Sequence, residues 1–401
     1  MFKNYLLIAL RNARRNKFYV IINVLGLGLG LACCLTAYLL VAYNLEFDAY
    51  FEDTGQIYRV QRSLQDKDAD SGVAEIIPLP LAASAQEEIS GVEDASRIYA
   101  TRELLRNEDD VFSEYIGFVD TNFFDFFGFQ TVYGETASFE GQDKIVLSDK
   151  LAEKFFGDEN PVGETLILRF GDGQEVPLTV GAVVSYPLNI SFFYDSFVAL
   201  PHLLASAEYD EDDWNASLRP STFLKLTSPE AAAQVSEQLS AFVETANASG
   251  VTYAYENFDI IPFKDPAVNE GDLDRTYTNR RIRPTAVYVF AMMAFSILLL
   301  ACFNLTNTSI ALASRRLKEI GVRKVMGGMR YQLILQLLIE ILMIGVLAIG
   351  AGWLIAQYLT PVFTGMLDNM AFSLQDISLW NMSVALMMLL VLIAMIAGLY
   401  P

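Results

Sequence analysis

Histidine is nearly missing from this chain, which removes many kinds of enzyme chemistry. Its 401 residues include one histidine, His202, so the usual histidine-based zinc sites and nucleophile–base pairs cannot be built within one chain. The phosphate-binding pattern G-x-x-x-x-G-K-[ST] is absent from the sequence as well. We therefore predict no catalytic residue, no metal site and no cofactor bound by the chain itself.

Cysteine is scarce, and its positions exclude a disulfide framework. Cys33, Cys34 and Cys302 all lie inside long apolar runs, where they cannot cross-link a water-exposed domain. A soluble region of some 240 residues is large enough to fold on a hydrophobic core alone. The lack of disulfides is therefore compatible with export from the cytoplasm.

Long apolar runs determine the class of protein. A helix needs roughly 20 apolar residues to cross the hydrocarbon core of a membrane. Four runs meet this length, near residues 19–43, 286–313, 333–359 and 380–400. The sequence predicts an α-helical membrane protein with four transmembrane helices and a large α+β extracytoplasmic domain, residues 44–285, inserted between helices 1 and 2.

Charge is distributed unevenly and predicts the orientation. Residues 1–43 carry a net charge of +5, residues 44–285 carry −27 and residues 286–401 carry +2. An acidic body repels phosphates, which argues against a nucleic-acid partner. Because cytoplasmic loops are enriched in Lys and Arg, the N-terminus and the basic loop 314–332 should face the cytoplasm. The domain 44–285 should then lie on the outer side.

The first 18 residues predict a short amphipathic helix. One helical arc is apolar and the opposite arc is basic, so the helix should lie along the cytoplasmic interface of the lipid bilayer. The apolar arc holds Phe2, Leu6, Ala9, Leu10 and Ala13, and the basic arc holds Lys3, Arg11, Arg14 and Arg15. A cleaved signal peptide is the alternative, but the following apolar run is too long for one.

The soluble region alternates strand-like and helix-like segments. Runs such as IYRVQRS at Ile57 and TFLKLT at Thr222 are each followed by a helical stretch. We expect two β-α-β units, with further strands near residues 94–101 and 258–263, that flank a middle portion with strands of its own and a helix over residues 148–156. This pattern predicts two subdomains, one inserted into the other, with the middle one at roughly residues 105–195.

Small and polar residues inside the apolar runs are candidates for helix packing. Gly26 and Gly30 form a G-x-x-x-G face that permits close helix approach, although the glycines could equally be tolerated in the span. Asn304, Asn307 and Glu340 interrupt the later runs. Because an isolated charge in lipid is costly, Glu340 should pair with a basic residue of the preceding loop or contact a partner helix.

The segment RRLKEIGVRKVMGGMR, residues 315–330, is the most basic stretch between two apolar runs. Glu319 stands four residues after Arg315 and four before Arg323, a spacing that allows surface pairing on a helix. Gly327 should then end that helix. Taken alone, the segment fits either a topology anchor or a docking site.

Longer motifs resemble a known family. The segment RRLKEIGVRKVMGGMRYQLILQLLIE, preceded by FNLTNTSIALAS, resembles the membrane region of FtsX-like permeases. FDAYFEDTGQIYRV, TNFFDFFGFQTVYGE and IVLSDKLAEKFFGDENPVGETL resemble the MacB-like periplasmic core domain. The resemblance covers nearly the whole chain. It implies a permease of the type VII ABC transporters, with residues 44–285 as the periplasmic domain and residues 286–401 as the FtsX-like membrane domain.

The resemblance also implies a mechanism. In this family a cytoplasmic ATPase dimer, which binds ATP and Mg²⁺, docks on the loop between the second and third helices. Its motion passes through the first two helices to the periplasmic domains. The positions implied to couple to the ATPase are Arg315, Arg316, Lys318, Glu319, Ile320, Gly321, Val322, Arg323, Lys324, Met326 and Gly327.

Two departures from relatives shape the expected partners. The fused ATPase of MacB itself is missing, so a separate ATPase subunit is expected. Many unfused relatives repeat the four-helix unit, so this chain is expected either to be part of a longer permease or to dimerise. A periplasmic adaptor and the lipid of the bacterial inner membrane are further expected partners. The expected cargo is a drug, toxin or peptide. Lipoprotein or lipid extraction, a membrane-anchored sensor and a cell-wall-hydrolase regulator remain alternatives.

Overall fold

A computed structural model gives the fold of most of the chain. It describes residues 2–52, 54–66, 73–107, 110–136, 139, 143–171, 173–187, 189–192, 194–264, 277–278, 282, 284–315, 322, 325, 330–366 and 374.

The described residues form helices and strands in alternating groups. The helices are α1 (Phe2–Arg15), α2 (Lys17–Leu45), α3 (Leu81–Glu88), α4 (Phe123–Phe127), α5 (Asp149–Phe156), α6 (Leu200–Ser206), α7 (Ala232–Leu239), α8 (Phe242–Ala248), α9 (Pro284–Arg315) and α10 (Arg330–Thr364). The strands are β1 (Ile57–Leu64), β2 (Val73–Ala74), β3 (Val92–Asn107), β4 (Asp110–Val119), β5 (Thr131–Gly134), β6 (Lys144–Ser148), β7 (Thr165–Arg169), β8 (Glu175–Val184), β9 (Ser196–Ala199), β10 (Ser221–Leu226) and β11 (Tyr255–Pro262).

The chain divides into two compact units. The helical unit comprises residues 1–45 and 283–401, and the second unit comprises residues 46–282. The predicted division of the second unit into two subdomains stays a prediction. Strand β3 runs continuously across residue 105, where the middle subdomain was expected to begin.

The helical unit contains membrane-type helices. Within the described residues, three segments are long and apolar enough to cross a membrane: Lys17–Leu45, Pro284–Leu312 and Leu338–Thr364. These correspond to the first three predicted transmembrane helices. The described part of the chain thus shows three of the four expected spans, and the fourth predicted helix, residues 380–400, lies outside the described residues.

One mixed sheet organises the second unit. Among the described residues it has 11 strands, with the order β11-β1-β10-β3-β4-β9-β6-β8-β5. Strand β2 pairs with β1, and β7 pairs with both β3 and β8. The pairs β4–β9 and β6–β8 are parallel, and the other pairs are antiparallel. This is the α+β arrangement expected from the sequence.

Local sequence explains why the elements form where they do. The centre of strand β6, Ile145–Leu147, is apolar and at most 1% exposed, because its alternating side chains pack into hydrophobic clusters on the two faces of the sheet. Helix α5 begins where the Ser148 Oγ accepts a hydrogen bond of 3.1 Å from the Leu151 N–H. It ends at Gly157, whose φ of +63° suits glycine.

A phenylalanine cluster occupies the centre of this unit. The rings of Phe51, Phe123, Phe192, Phe223 and Phe263 are each at most 1% exposed. The centroids of neighbouring rings lie 5.0–5.9 Å apart, mostly edge to face. Because these residues come from distant parts of the chain, the cluster packs the first and last segments of the second unit together.

Candidate functional site in the membrane helices

Helices α2 and α10 approach each other through two glycines. A Cβ atom on Gly352 would lie 2.9 Å from the Gly28 carbonyl oxygen and 2.9 Å from the Leu31 Cβ. A Cβ on Gly28 would lie 3.2 Å from the Ala351 Cβ. A side chain at this crossing would force the helices apart, so the small residues permit backbone contact.

Helices α2 and α9 meet through one glycine and several polar side chains. A Cβ on Gly30 would lie 3.1 Å from the Leu298 Cα. The hydroxyls of Tyr19 and Ser309 lie 2.9 Å apart, within hydrogen-bond distance. The pair is partly buried, so it fixes the position of α9 along α2 near the end of α2 that follows α1.

Asn23 and Thr308 add a second polar link between the same helices. The Asn23 Nδ2 donates to the Tyr19 carbonyl at 2.8 Å and lies 3.3 Å from the Thr308 Oγ1. Asn23 is buried, with 1% of its surface exposed. An unpaired amide in an apolar setting is costly, and these bonds satisfy it.

The predicted packing residues are only partly placed at helix contacts. Gly30 packs against α9, whereas a Cβ on Gly26 would meet no atom within 4 Å. Gly28, which the predicted G-x-x-x-G face did not include, is the glycine that packs against α10. Asn304 and Asn307 are exposed on α9, because the face of α9 that meets α2 carries Leu305, Thr308 and Ser309 instead. Sequence spacing alone does not reveal this rotation.

Helix α1 contacts α10 through a hydrogen bond that sequence reasoning missed. The Asn12 Nδ2 donates to the Glu340 Oε1 at 2.7 Å, and the Gln336 Nε2 donates to the same oxygen at 3.3 Å. Ala9, one turn before Asn12, is 1% exposed. Asn12 lies beside the predicted apolar arc, and this position is the signal that identifies it. The contact to a partner helix was one of the two placements expected for Glu340.

The expected ATPase-coupling positions fall mostly outside the described residues. Arg315 is the last residue of α9, and Val322 is helical and 61% exposed. Val325, next to the predicted positions, is 89% exposed. The positions outside the described residues are Arg316, Lys318, Glu319, Ile320, Gly321, Arg323, Lys324, Met326 and Gly327.

Two titratable groups of the second unit, Asp195 and His202, have shifted pKa values. Burial raises the pKa of Asp195, helped by the charge of Glu114 and opposed by Lys150 and Lys154. Burial lowers the pKa of His202. Among the described residues, no group of three or more His, Cys, Asp or Glu side chains is arranged to hold a metal ion.

Comparison with known proteins places the chain in a family. The family model of the MacB-like periplasmic core domain matches residues 20–242, and the model of the FtsX-like permease C-terminal region matches residues 291–401. No curated protein matches the chain significantly.

Three solved structures resemble part of the chain. A domain assigned to a permease protein of Porphyromonas gingivalis is 21% identical, covers 53% of this chain and 92% of its own, and has a TM-score of 0.45. The periplasmic region of MacB from Actinobacillus actinomycetemcomitans is 16% identical, covers 52% of this chain and 89% of its own, and has a TM-score of 0.38. The extracellular domain of the noncanonic ABC-type transporter YknZ from Gram-positive bacteria is 14% identical, covers 51% of this chain and 99% of its own, and has a TM-score of 0.38.

The first family model alone spans more than half of the chain, and the second covers most of the remaining membrane region. Permeases of these families are generally non-enzymatic subunits that work with ABC ATPase partners. The chain belongs to the MacB/FtsX-like permease family, with a MacB-like periplasmic core domain followed by an FtsX-like permease region.

Proposed function

We propose that this chain is the permease subunit of an ABC transporter that relays the motion of a separate cytoplasmic ATPase to its own periplasmic domain. ATP and Mg²⁺ would bind to that ATPase. The proposed location is the bacterial inner membrane, with the N-terminus and loop 314–332 in the cytoplasm and the domain 44–285 in the periplasm. The family and its known partners support this proposal.

The observation that carries the proposal is the connectivity of the helices. The periplasmic-type unit is inserted between α2 and α9, and these helices pack on each other through Gly30 and the Tyr19–Ser309 pair. Helix α9 leads into the basic loop, and α10 follows it. A displacement of that loop would therefore act on both helices that carry the soluble unit.

Further partners follow from the same arrangement. A second copy of the chain, or a second permease half, would complete the transporter. The exposed apolar side chains of α1 and the start of α2, Leu7, Leu10 and Phe18, would lie in the lipid interface, with the neighbouring arginines at the headgroups. A periplasmic adaptor remains a proposed partner.

Efflux of a drug, toxin or peptide is the cargo class we propose, and the likeness to the MacB-like domain supports it. Lipoprotein or lipid extraction is the alternative with the same topology. A transport assay in reconstituted vesicles with each class of cargo distinguishes them.

The docking role of the basic loop is tested by charge reversal. The full-length permease with Arg323→Glu and Lys324→Glu is mixed with the proposed partner ABC ATPase. Loss of two cations from the docking surface should raise the Kd at least tenfold, about 1.4 kcal/mol. Binding is measured by biolayer interferometry in nanodiscs, together with the rate of ATP hydrolysis.

A matched control reverses two exposed cations in the periplasmic-type unit, Lys150 and Arg169. This variant changes the net charge equally and should bind the ATPase like the wild type. If both double variants bind with the wild-type Kd, the loop is not the docking site.

A further inference from the structure

The chain enters and leaves its second unit beside one buried arginine. Asp48 comes shortly after Leu45, the last residue of α2, and Thr278 comes shortly before Pro284, the first residue of α9. The two side chains are buried, with 1% and 7% of their surfaces exposed. Arg59 in β1 is 5% exposed and contacts both of them. The segments that join the unit to the membrane helices therefore share a contact.

The guanidinium of Arg59 uses all three of its nitrogens. Its Nε donates to the Phe263 carbonyl at 3.1 Å, its Nη1 to the Thr278 Oγ1 at 2.9 Å and its Nη2 to the Ser191 Oγ at 2.6 Å. The group also lies 4.6 Å from the centre of the Phe263 ring. These bonds fix both the position and the plane of the guanidinium.

Two hydroxyls connect the arginine to two buried carboxylates. The Ser191 Oγ donates to the Asp48 Oδ2 at 2.8 Å, and the Thr278 Oγ1 donates to the Glu75 Oε2 at 3.1 Å. The same carboxylates lie 3.7 Å and 3.6 Å from the guanidinium nitrogens of Arg59. The bond between Ser191 and Asp48 holds the segment that follows α2, which we call the entry segment. The bond between Thr278 and Glu75 holds the segment that precedes α9, which we call the exit segment.

The backbone at the entry point is held in a costly conformation. Asp48 has a φ of +60°, in the left-handed region, which is uncommon for non-glycine residues although aspartate adopts it more often than most. Its N–H donates to the Asn189 carbonyl at 2.9 Å, and its Oδ1 accepts from the Ser191 N–H at 2.6 Å. Such strain persists only where surrounding contacts determine the conformation, and it is concentrated at functional positions.

Stability alone does not account for a buried ionic network of this kind. Replacing buried ion pairs with well-packed apolar residues is often neutral or stabilising, because the charges lose their hydration. Hydrogen bonds depend on angle, so they fix the relative orientation of the groups that they join. Apolar contacts are not directional and fix that orientation less well. The Arg59 network thus suits a role in positioning.

We propose that Arg59 is a positioning residue that ties the entry segment at Asp48 and the exit segment at Thr278 into one joint on β1. The proposal rests on the mechanical role proposed above for α2 and α9. Because β1 pairs with β10, β11 and β2, displacement of either segment would be transmitted to the sheet at that strand. The two segments would move together.

The joint is tested by amide hydrogen exchange and mass spectrometry on the full-length protein in nanodiscs. Arg59→Lys keeps the charge but cannot reproduce the three-way donation. It should speed exchange at least tenfold both in the peptide containing Asp48 and in the peptide containing Thr278. Thr278→Val removes one hydroxyl at nearly constant shape. It should raise the exchange rate of the peptide containing Thr278 by the same factor, with a smaller effect on the peptide containing Asp48.

Arg97→Lys is the matched control. Arg97 is also buried, and it pairs with Asp120 at 2.8 Å and with Glu211 at 2.5 Å. This variant should leave both connecting peptides at their wild-type rates. The proposal would be wrong if Arg59→Lys raised the exchange rate of only one of the two connecting peptides. It would also be wrong if the exchange rate of every peptide in the unit rose equally. If Arg59→Lys fails to fold, wild-type exchange in both connecting peptides of Thr278→Val would overturn it.

A second arm separates this inference from the proposed function. With the ATPase and a non-hydrolysable ATP analogue bound, wild-type exchange in β1 should change, and Thr278→Val should lose that change while still binding the ATPase. If the analogue leaves β1 unchanged in the wild type, the joint is not part of the relay. If no ATPase binds to the wild type, the proposed function fails, while the exchange measurements without ATPase still decide the joint.

Discussion

The crossing of α2 and α10 gives the sharpest test of the packing in the membrane unit. In Gly352→Ala the new Cβ would lie 2.9 Å from the Gly28 carbonyl oxygen and 2.9 Å from the Leu31 Cβ. Real Cβ atoms do not approach this closely, so the two helices must separate. We expect Gly352→Ala to destabilise the helical unit relative to a suitable control.

The magnitude follows from two opposing terms. Alanine is favoured over glycine in a helix by about 1 kcal/mol, whereas overpacking costs about 1–3 kcal/mol. A Cβ on Gly350, in the same helix, would meet no atom within 4 Å. Gly350→Ala therefore gains the helix propensity of alanine without any cost of overpacking. The difference between the two variants should therefore be about 1–3 kcal/mol, with Gly352→Ala the less stable.

The assay is unfolding of the full-length protein in mixed micelles with increasing SDS, followed by circular dichroism at 222 nm. The same comparison is available on the facing helix. Gly28→Ala places a Cβ 3.2 Å from the Ala351 Cβ, whereas Gly26→Ala meets open space, so the first should be the less stable. Equal stability of Gly352→Ala and Gly350→Ala would refute the close crossing.

Two further predictions concern the second unit. Ser148→Ala removes the side-chain acceptor for the Leu151 N–H, which should cost about 1 kcal/mol of stability and lower the Tm by about 2–4 °C. Differential scanning calorimetry measures the Tm, and the control variant Ser90→Ala, at an exposed position, should keep the wild-type value. An unaltered Tm in Ser148→Ala would contradict the capping role of Ser148. For His202, burial lowers the pKa in the folded state, so its neutral form contributes stability that is complete above the unfolded pKa of about 6.5 and is lost as the pH falls from there through the lower pKa of the folded state. The wild type should therefore lose more stability between pH 7.5 and pH 5 than His202→Gln does, and parallel curves of Tm against pH would argue against this assignment.

Many elements of the second unit could be predicted from local sequence patterns. The predicted helix after Ser148 is α5, because a cap, an amphipathic run and a terminal glycine are all local signals. The strand expected near residues 94–101 is in fact the much longer β3, Val92–Asn107. Its second half carries charged residues and pairs with β4 in a long hairpin, and hydrophobic alternation does not reveal such a partly exposed extension.

The candidate site was less accessible than the fold. The apolar spans, the basic loop and the family motifs are written in consecutive residues, so they can be read directly. Which glycine faces which helix depends on the rotation of each helix about its axis: Gly26 and Gly28 point in nearly opposite directions, about 200° apart, and only Gly28 meets α10. Asn12 acquires its role only because α10 brings Glu340 to it.

The sequence by itself determined that this protein has apolar helices long enough for a membrane, a large acidic α+β insertion and the motifs of a permease family. These properties depend on composition and short-range periodicity, which each segment carries alone. Only the tertiary structure decided that Arg59 meets Asp48, Ser191, Glu75 and Thr278. Those residues are far apart in the chain, and the physical reason for their meeting is the pairing order of the sheet together with the burial of the aromatic cluster, neither of which any single segment specifies.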